Sequence, residues 1–150
     1  MQIGGRASAI LAQKKVSSVW TIDPNATVIA AIRLMDEKNV GALPVVDNGR
    51  LVGIVSERDY TRKVILKERS SQEILVSEIM TKQLLTVAPS DSVTECMRIM
   101  TEKRVRHLPV LEGADLVGIL SIRDVVNWLI SAQTATIDSL HCYITGDYPA

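Results

Sequence analysis

The chain of 150 residues carries 17 Lys and Arg against 17 Asp and Glu, so its formal net charge is zero. Duplex-binding domains ordinarily carry a basic excess and membrane-surface proteins a cationic helix face, so the balance argues against nucleic-acid and membrane partners. The 47% hydrophobic content is that of a globular domain, with no apolar run near the ~20 residues of a membrane span. Two cysteines, Cys96 and Cys142, are too few for a disulfide framework, which favours a cytoplasmic location.

A gapless internal repeat at an offset of 65 residues dominates the chain: residues 21–59 align with residues 86–124. Identical positions include Leu-Pro-Val at Leu43 and Leu108, and Ser-x-x-Asp beginning at Ser56 and Ser121. Because only two copies exist, the repeat predicts a duplicated globular unit and excludes a solenoid.

Taken in chain order, residues 1–15 form a flanking tail that is expected to hold a short helix. Each copy then begins with a short β-run, Val19–Ile22 or Leu84–Val87, which ends at a proline-containing turn. The helix that follows is expected to be N-capped by Thr27 or Ser92, and Ser92-x-x-Glu95 fits a capping box.

Two apolar β-runs come next in the first copy, Ala42–Val46 and Leu51–Val55, and Asn48-Gly49 between them predicts a hairpin. A second helix begins near Ser56 or Ser121. In the second copy the expected buried face of this helix comprises Val125, Val126, Leu129 and Ile130.

The pattern β-α-β-β-α therefore occurs twice, which predicts an α/β (α+β) fold with the two units packed through their sheets as a pseudo-two-fold pair. We assign 16–68 to the first repeat, 77–132 to the second and 133–150 to a second tail, all within one module spanning 1–150. The connecting segment Arg69–Thr81 is expected to contain a helical turn near Val76–Met80, and the second tail a helix near Thr136–Ile144.

The Ser-x-x-Asp motif has two interpretations. As a local structure it is a helix cap, with Ser56 at the N-cap and Asp59 three residues later. However, Arg58 and Arg123 lie in the first helical turn, where a cation opposes the helix dipole. A phosphate bound at that helix start would turn this cost into an attraction, so a phosphate site is the functional interpretation.

A basic cluster of Arg104, Arg106 and His107 precedes the second Leu-Pro-Val strand, whereas the first copy has Asn39, Gly41 and Ala42. The cluster is either a solvated strand edge or a polyphosphate site in which Arg106 and His107 supply charge. Arg62 and Lys63, one turn after Asp59, either reach a shared phosphate region or coat a helix, and we expect them to coat the helix.

No metal site and no catalytic residue are predicted. His107 has no second ligand at metal-binding spacing, and the neighbouring His141 and Cys142 cannot both face one metal from a regular helix. Phosphate-loop, nucleophile-elbow and zinc-protease motifs do not occur in the sequence. We therefore expect a protein that is not an enzyme.

The duplicated Leu-Pro-Val and Leu-Val-Gly-Ile…Ser-x-x-Asp elements resemble the cystathionine β-synthase (CBS) domain, present as a tandem pair, or Bateman module, over about Val16 to Ala132. The tails resemble those of small bacterial proteins made of little besides one such pair. The resemblance implies two clefts between the repeats that bind AMP, ADP, ATP, NAD(H) or S-adenosylmethionine, and it implies a homodimer formed through the CBS helices. Trp128 is the candidate residue for the dimer face.

By this resemblance, Asp59 and Asp124 would hold ribose hydroxyls, and Ser56 and Ser121 would lie near phosphates. The complete expected binding set is Thr21, Val40, Gly41, Ala42, Ser56, Arg58, Asp59, Thr86, Arg106, His107, Leu108, Ser121, Arg123 and Asp124.

Three functions are compatible with these features. The first is a sensor that shifts conformation on binding a nucleotide and is read by a separate effector protein. The second is a ligand-free dimerisation or adaptor module. The third, a small nucleotide-hydrolysing enzyme, is disfavoured because no nucleophile with a partnered base is present.

Overall fold

The structure, a computed structural model, describes residues 4–14 and 19–132. Its elements are α1 (Ala7–Gln13), α2 (Val28–Lys38), β1 (Ala42–Asp47), β2 (Arg50–Ser56), α3 (Glu57–Tyr60), α4 (Val76–Ile79), α5 (Val93–Lys103), β3 (His107–Glu112) and β4 (Asp115–Ser121). A π-helical turn, Thr61–Ile65, continues α3, and residues 122–132 form a helix, α6. The fold class is α+β, as predicted. The expected helix near Thr136–Ile144 and the second cysteine lie outside the described residues.

Each repeat contains an antiparallel hairpin, β1 with β2 and β3 with β4. The predicted turn at Asn48-Gly49 is confirmed, since both residues have positive φ (50° and 79°), as a two-residue turn of the primed type requires. The hairpin register places Ala42 opposite Ser56 and His107 opposite Ser121. The strand that starts each hairpin therefore lies beside the start of the Ser-x-x-Asp motif.

The first β-run of each repeat is much shorter than predicted. Only Ile22 and Val87 pair with their hairpins, each through one parallel bridge. The Ile22 N–H donates to the Pro44 carbonyl at 3.0 Å, and the Val46 N–H donates to the Ile22 carbonyl at 3.0 Å. Extending this ladder towards the N-terminus would need an N–H from Pro44, and extending it forward would need one from Pro24. Both prolines lack that donor, so the pairing stops after one residue.

The predicted caps are confirmed in part. The Thr27 hydroxyl accepts the Ala30 N–H at 3.3 Å, and the Ser92 hydroxyl accepts the Glu95 N–H at 3.0 Å. The reciprocal half of the Ser92 capping box is not formed, because both carboxylate oxygens of Glu95 accept from Arg98. The same contact lowers the pKa of Glu95.

Helix α1 precedes the first repeat but packs on the second, and helix α4 precedes the second repeat but packs on the first. Helix α4, in the connecting segment, packs on the first repeat, where the Val76 N–H donates to the Ala26 carbonyl at 2.8 Å. Helix α1 packs on the second repeat, where the Ala7 N–H donates to the Asp91 carbonyl, also at 2.8 Å. Since Ala26 and Asp91 are equivalent positions of the repeat, the two helices dock in the same way, each on the repeat that does not follow it.

The residues around α1 are therefore not a tail outside the fold. Ala7 and Ile10 are buried in a core built from the second repeat, and Val76 and Ile79 occupy the same place in the core of the first. The reason is the apolar face of α1, which covers the sheet of the second repeat. The two repeats meet through β2 and β4.

The predicted buried face of α6 is only half right. Val125 is buried and Leu129 packs against the core, but Val126 and Ile130 are 45% and 55% exposed. Residues four apart share a helix face, while adjacent residues lie about 100° apart, so the second pair points away from the core. Within residues 4–14 and 19–132, no helix is long and apolar enough to cross a membrane.

Candidate functional site

The two Ser-x-x-Asp motifs form complete capping boxes. In the first repeat, the Asp59 N–H donates to Ser56 Oγ at 3.2 Å and the Ser56 N–H donates back to Asp59 Oδ2 at 2.9 Å. In the second, the Asp124 N–H donates to Ser121 Oγ at 3.1 Å and the Ser121 N–H donates to Asp124 Oδ2 at 2.8 Å. In each box a backbone N–H holds one carboxylate oxygen, and this contact also fixes where the other oxygen lies.

The hairpins bring the predicted site residues of each repeat together. The Glu57 N–H donates to the Gly41 carbonyl at 3.1 Å, one residue before the Ala42–Ser56 pair. In the second repeat, the Ile122 N–H donates to the Arg106 carbonyl at 2.8 Å. Each repeat therefore has a corner where the start of one strand, the end of another and the start of a helix meet.

A lysine ammonium lies beside each aspartate. Lys63 Nζ is 3.0 Å from Asp59 Oδ1 and donates to the Ile79 carbonyl at 2.7 Å. Lys63, 43% exposed, therefore lies on the helix surface and also pairs with Asp59, one turn away on the same face. In the second repeat Lys14 Nζ, at the end of α1, is 3.0 Å from Asp124 Oδ2 and donates to the Ile119 carbonyl at 2.9 Å. The Asp59 and Asp124 side chains are 12% and 16% exposed.

The two carboxylates differ in how completely they are engaged. Asp59 Oδ2 also accepts the Ser56 hydroxyl at 3.0 Å, and Oδ1 lies 3.4 Å from Thr81 Oγ1. Both contacts of Asp124, by contrast, fall on Oδ2. Among the described residues, Asp124 Oδ1 has no hydrogen-bond partner, so the second repeat has an acceptor oxygen that the first lacks.

His107 joins the second repeat to the first. A Cβ atom at Gly41 would lie 3.5 Å from His107 Nε2 and 3.9 Å from Glu57 Oε2. Desolvation lowers the pKa of His107, with nearby Lys14 and Arg106 adding to the effect and Asp124 opposing it. The imidazole is therefore neutral at neutral pH, and the expectation that His107 supplies positive charge is not supported by its surroundings.

The remaining predicted residues fall into three groups. Arg58, Arg106 and Arg123 are exposed, so their guanidinium groups are available to a ligand. Thr21 and Thr86 are exposed and directly precede the bridging residues Ile22 and Val87. The side chains of Leu108 and Val40 pack in the two cores, so these residues offer only main-chain groups to a ligand.

The sequence analysis predicted no role for Lys14. The lysine and Ile119, to which it donates, are separated by 105 residues, and no local pattern connects such positions. Trp128 has contacts that the sequence did not predict. Its indole N–H donates to the Gly4 carbonyl at 3.2 Å and its ring lies against Gly5, so it fastens the N-terminal segment; its assignment to the dimer face stays a prediction. Neither contact could be read from the repeat, because residues 1–15 lie outside it.

The described residues contain no group of three or more His, Cys, Asp and Glu side chains that could hold a metal ion. Cys96 is a free, buried cysteine. Burial raises the pKa of the Cys96 thiol to about 11. A thiol with so high a pKa is a poor nucleophile near neutral pH, so Cys96 has a packing role.

Comparison with known proteins is consistent with this architecture. The family model of the CBS domain matches residues 14–65 and 76–131. The chain is 42% identical over 127 residues to the mitochondrial CBS domain-containing protein CBSX3 of Arabidopsis thaliana, covering 81% of this chain and 62% of that protein. A solved protein with CBS domains from Burkholderia ambifaria is 49% identical, with a TM-score of 0.83 over 86% of this chain and 96% of the other.

Two further solved structures concern ligands and assembly. The CBS domain pair of protein MJ0100 was solved with 5′-methylthioadenosine and S-adenosyl-L-methionine; it is 23% identical, with a TM-score of 0.76 over 87% of this chain and 99% of the other. A CBS-CP12 protein from bloom-forming cyanobacteria is hexameric; it is 32% identical, with a TM-score of 0.74 over 83% of this chain and 68% of the other.

Proposed function

Because the chain belongs to the CBS domain family as a tandem pair, we propose that it binds an adenosine-containing ligand between its repeats and transmits that binding to a separate effector protein. The CBS pair is a regulatory module. The proposal adds the ligand class, which comprises AMP, ADP, ATP, NAD(H) and S-adenosylmethionine, and it includes no catalytic step. The buried free cysteine suits a reducing compartment, for which we propose the cytoplasm.

The proposal rests on one observation: both repeats contain an aspartate whose carboxylate is held in place by a capping box. In each repeat the backbone N–H of a serine holds one oxygen of Asp59 or Asp124 in place. Each carboxylate keeps some exposure and contacts a lysine ammonium, which can move; Asp59 also accepts from the Ser56 hydroxyl and lies near Thr81 Oγ1. A ribose offers two adjacent hydroxyl donors, and a fixed, partly exposed carboxylate is a good acceptor for them.

The surroundings of each carboxylate suit the rest of a nucleotide. We assign Ser56 with Arg58, and Ser121 with Arg123, to the phosphate side, because exposed guanidinium groups near a helix start attract phosphate. Gly41 and His107 lie where the repeats touch, and we assign them to the border of the base. A neutral imidazole suits this position, since it can both donate and accept a hydrogen bond.

The proposed mechanism is a population shift. β2 of one repeat lies against β4 of the other, and His107 reaches Gly41 across the boundary. A ligand that contacts both repeats favours one relative arrangement of them by its difference in affinity for the two arrangements.

The test is calorimetry with AMP, ADP, ATP, NAD, NADH and S-adenosylmethionine on the wild-type chain. The variants are Asp59→Asn, Asp124→Asn and their combination, because an amide oxygen can still accept the capping hydrogen bond. Asp36→Asn, with the same charge change on an exposed part of α2, is the matched control. We expect one or more ligands to bind, and the double variant to bind them at least about tenfold more weakly, which is about 1.4 kcal/mol.

Thermal unfolding provides an independent reading of the same experiment. A ligand at a hundred times its Kd stabilises the chain by about 2.7 kcal/mol, which raises Tm by roughly 5–10 °C in a domain of this size. If none of the ligands binds the wild type, the proposed function is wrong. If binding survives the double substitution, the assignment of Asp59 and Asp124 is wrong.

An exposed apolar stripe favours a second function, assembly. Ile122, Val126 and Ile130 recur every four residues on α6 and are 47%, 45% and 55% exposed. Four-residue spacing places them on one helix face, which suits a homodimer formed through the CBS helices. Light scattering should give a dimer mass for the wild type and a monomer mass for Val126→Glu. A monomeric wild type would refute the dimer, and a dimer without ligand binding would favour the adaptor.

A further inference from the structure

The lysines beside the two equivalent aspartates come from different parts of the chain. Lys63 lies four residues after Asp59 on the same helical segment. Lys14 lies at the C-terminal end of α1, the helix that docks on the second repeat from outside it. The same ammonium–carboxylate contact, 3.0 Å in both repeats, is therefore local in the first repeat and joins distant segments in the second.

Most attachments of α1 lie near its beginning. Arg6 bridges to Ser92, the Ala7 N–H donates to the Asp91 carbonyl, and the Trp128 indole donates to the Gly4 carbonyl. These contacts lie on residues 4–7, at the N-terminal end of the helix.

The other end of α1 depends on fewer contacts. Leu11 packs near Gly118, and Gln13 bonds to Ser131 at 3.3 Å in an exposed position. The charged contact there is Lys14, whose Nζ lies 3.0 Å from Asp124 Oδ2 and 2.9 Å from the Ile119 carbonyl. Because Ile10 is buried in the core, breaking the Lys14–Asp124 pair would loosen the end of α1 beyond Ile10 and leave its first turn in place.

We propose that Lys14 and Asp124 form a latch that couples ligand binding in the second cleft to the docking of α1. The inference rests on the proposed function, in which Asp124 accepts the ribose hydroxyls. A ribose has two adjacent hydroxyls; when one donates to the free Asp124 Oδ1, the other donates to Oδ2, where it competes with the Lys14 ammonium and weakens the hold on Lys14. Lys63 has no such role towards α1, because its two contacts, Asp59 and the Ile79 carbonyl of α4, do not involve that helix.

Hydrogen exchange of the full chain without ligand tests the latch itself. In Lys14→Met, which keeps the length of the side chain and removes its charge, the amides at the end of the 4–14 peptide should exchange about fivefold faster while those at its start keep the wild-type rate, as expected for loss of one partly exposed ion pair at the end of α1. Lys63→Met, which removes the equivalent pair, is the matched control and should leave that peptide unchanged. Equal exchange in wild type and Lys14→Met would overturn the latch.

Two probes, AMP and S-adenosylmethionine, test the coupling. Saturation with a probe that binds should speed exchange of residues 4–14 in the wild type but not in Lys14→Met, and Lys14→Met should bind the probe about fivefold more tightly because a competitor is gone. Binding that leaves exchange of these residues unchanged, or that weakens in Lys14→Met, would overturn the proposal while the proposed function stands. If neither probe binds, the coupling is overturned and the calorimetry with the full ligand set decides the proposed function. Faster exchange in Lys14→Met would then show only that the Lys14–Asp124 pair stabilises the end of α1.

Discussion

Replacing two equivalent glycines by alanine tests the exchanged docking of α1 and α4. A Cβ at Gly118 would lie 2.7 and 3.0 Å from the two methyl carbons of Leu11 in α1. A Cβ at Gly53 would lie 2.7 Å from Met80 Sδ and 3.0 Å from the Thr81 carbonyl oxygen. Ordinary contacts of this kind are no closer than about 3.4 Å, so both alanines must displace a neighbour.

The two substitutions differ in what must move. Leu11 presents only the end of a flexible side chain, so we expect Gly118→Ala to cost about 1 kcal/mol, at the low end of overpacking. Thr81 presents backbone, and its carbonyl also accepts the Ile54 N–H at 3.1 Å. Gly53→Ala should therefore cost about 2–3 kcal/mol. For a chain of this length these costs correspond to Tm decreases of roughly 2–4 °C and 4–12 °C.

Urea unfolding and calorimetry of the two variants measure these differences. Gly4→Ala is the matched control, because a Cβ there meets nothing within 4 Å, and its stability should change by less than about 0.5 kcal/mol. If both alanines behaved like the control, α1 and α4 would not dock as described. If Gly118→Ala were the more costly, the distinction between side-chain and backbone neighbours would be refuted.

Three further predictions concern single residues. Burial lowers the pKa of His107 below 6.5, so as the pH falls the imidazole is protonated in the unfolded chain before it is protonated in the folded one. The free energy of unfolding should therefore decrease as the pH falls below about 6.5, by at most about 1.4 kcal/mol per pH unit. His107→Gln should flatten that slope, measured by urea unfolding between about pH 7.5 and 5.5. With the thiol pKa of Cys96 raised to about 11, the Cys142→Ser variant should react with a thiol reagent at about pH 8 only after unfolding, and rapid reaction of the native chain would contradict this. Arg104 has a φ of 54° at the end of α5; Arg104→Gly should raise the free energy of unfolding by about 0.5–1 kcal/mol in calorimetry, and a decrease would refute the argument.

Local sequence signals predicted the architecture of each repeat well. Asn48-Gly49 predicted a hairpin because few other residue pairs adopt positive φ twice in succession. Ser56-x-x-Asp59 predicted a capped helix start because the two groups satisfy each other's backbone N–H across three residues. Each of these signals depends on a few neighbouring residues, so each can be recognised in the sequence without knowledge of tertiary contacts.

Prediction failed where an element depends on its partner. The β-runs before Pro24 and Pro89 look like strands, but the proline in the facing strand removes the N–H that a longer ladder needs. Val126 and Ile130 are as apolar as Val125, yet they lie on the outward side of α6. Hydrophobicity alone does not say which side of a helix meets the core, and the stripe that remains is the surface we assign to the dimer.

The sequence by itself determined that the chain is a duplicated CBS pair and that Asp59 and Asp124 stand at the two helix starts, because the repeat and the caps depend on neighbouring residues. Only the tertiary structure decided that α1 docks on the second repeat and that Lys14 reaches Asp124. It also decided that His107 is neutral, since its pKa depends on burial between the repeats. These features arise from contacts between segments far apart in the chain, and no local pattern of residues encodes which distant segment completes a site.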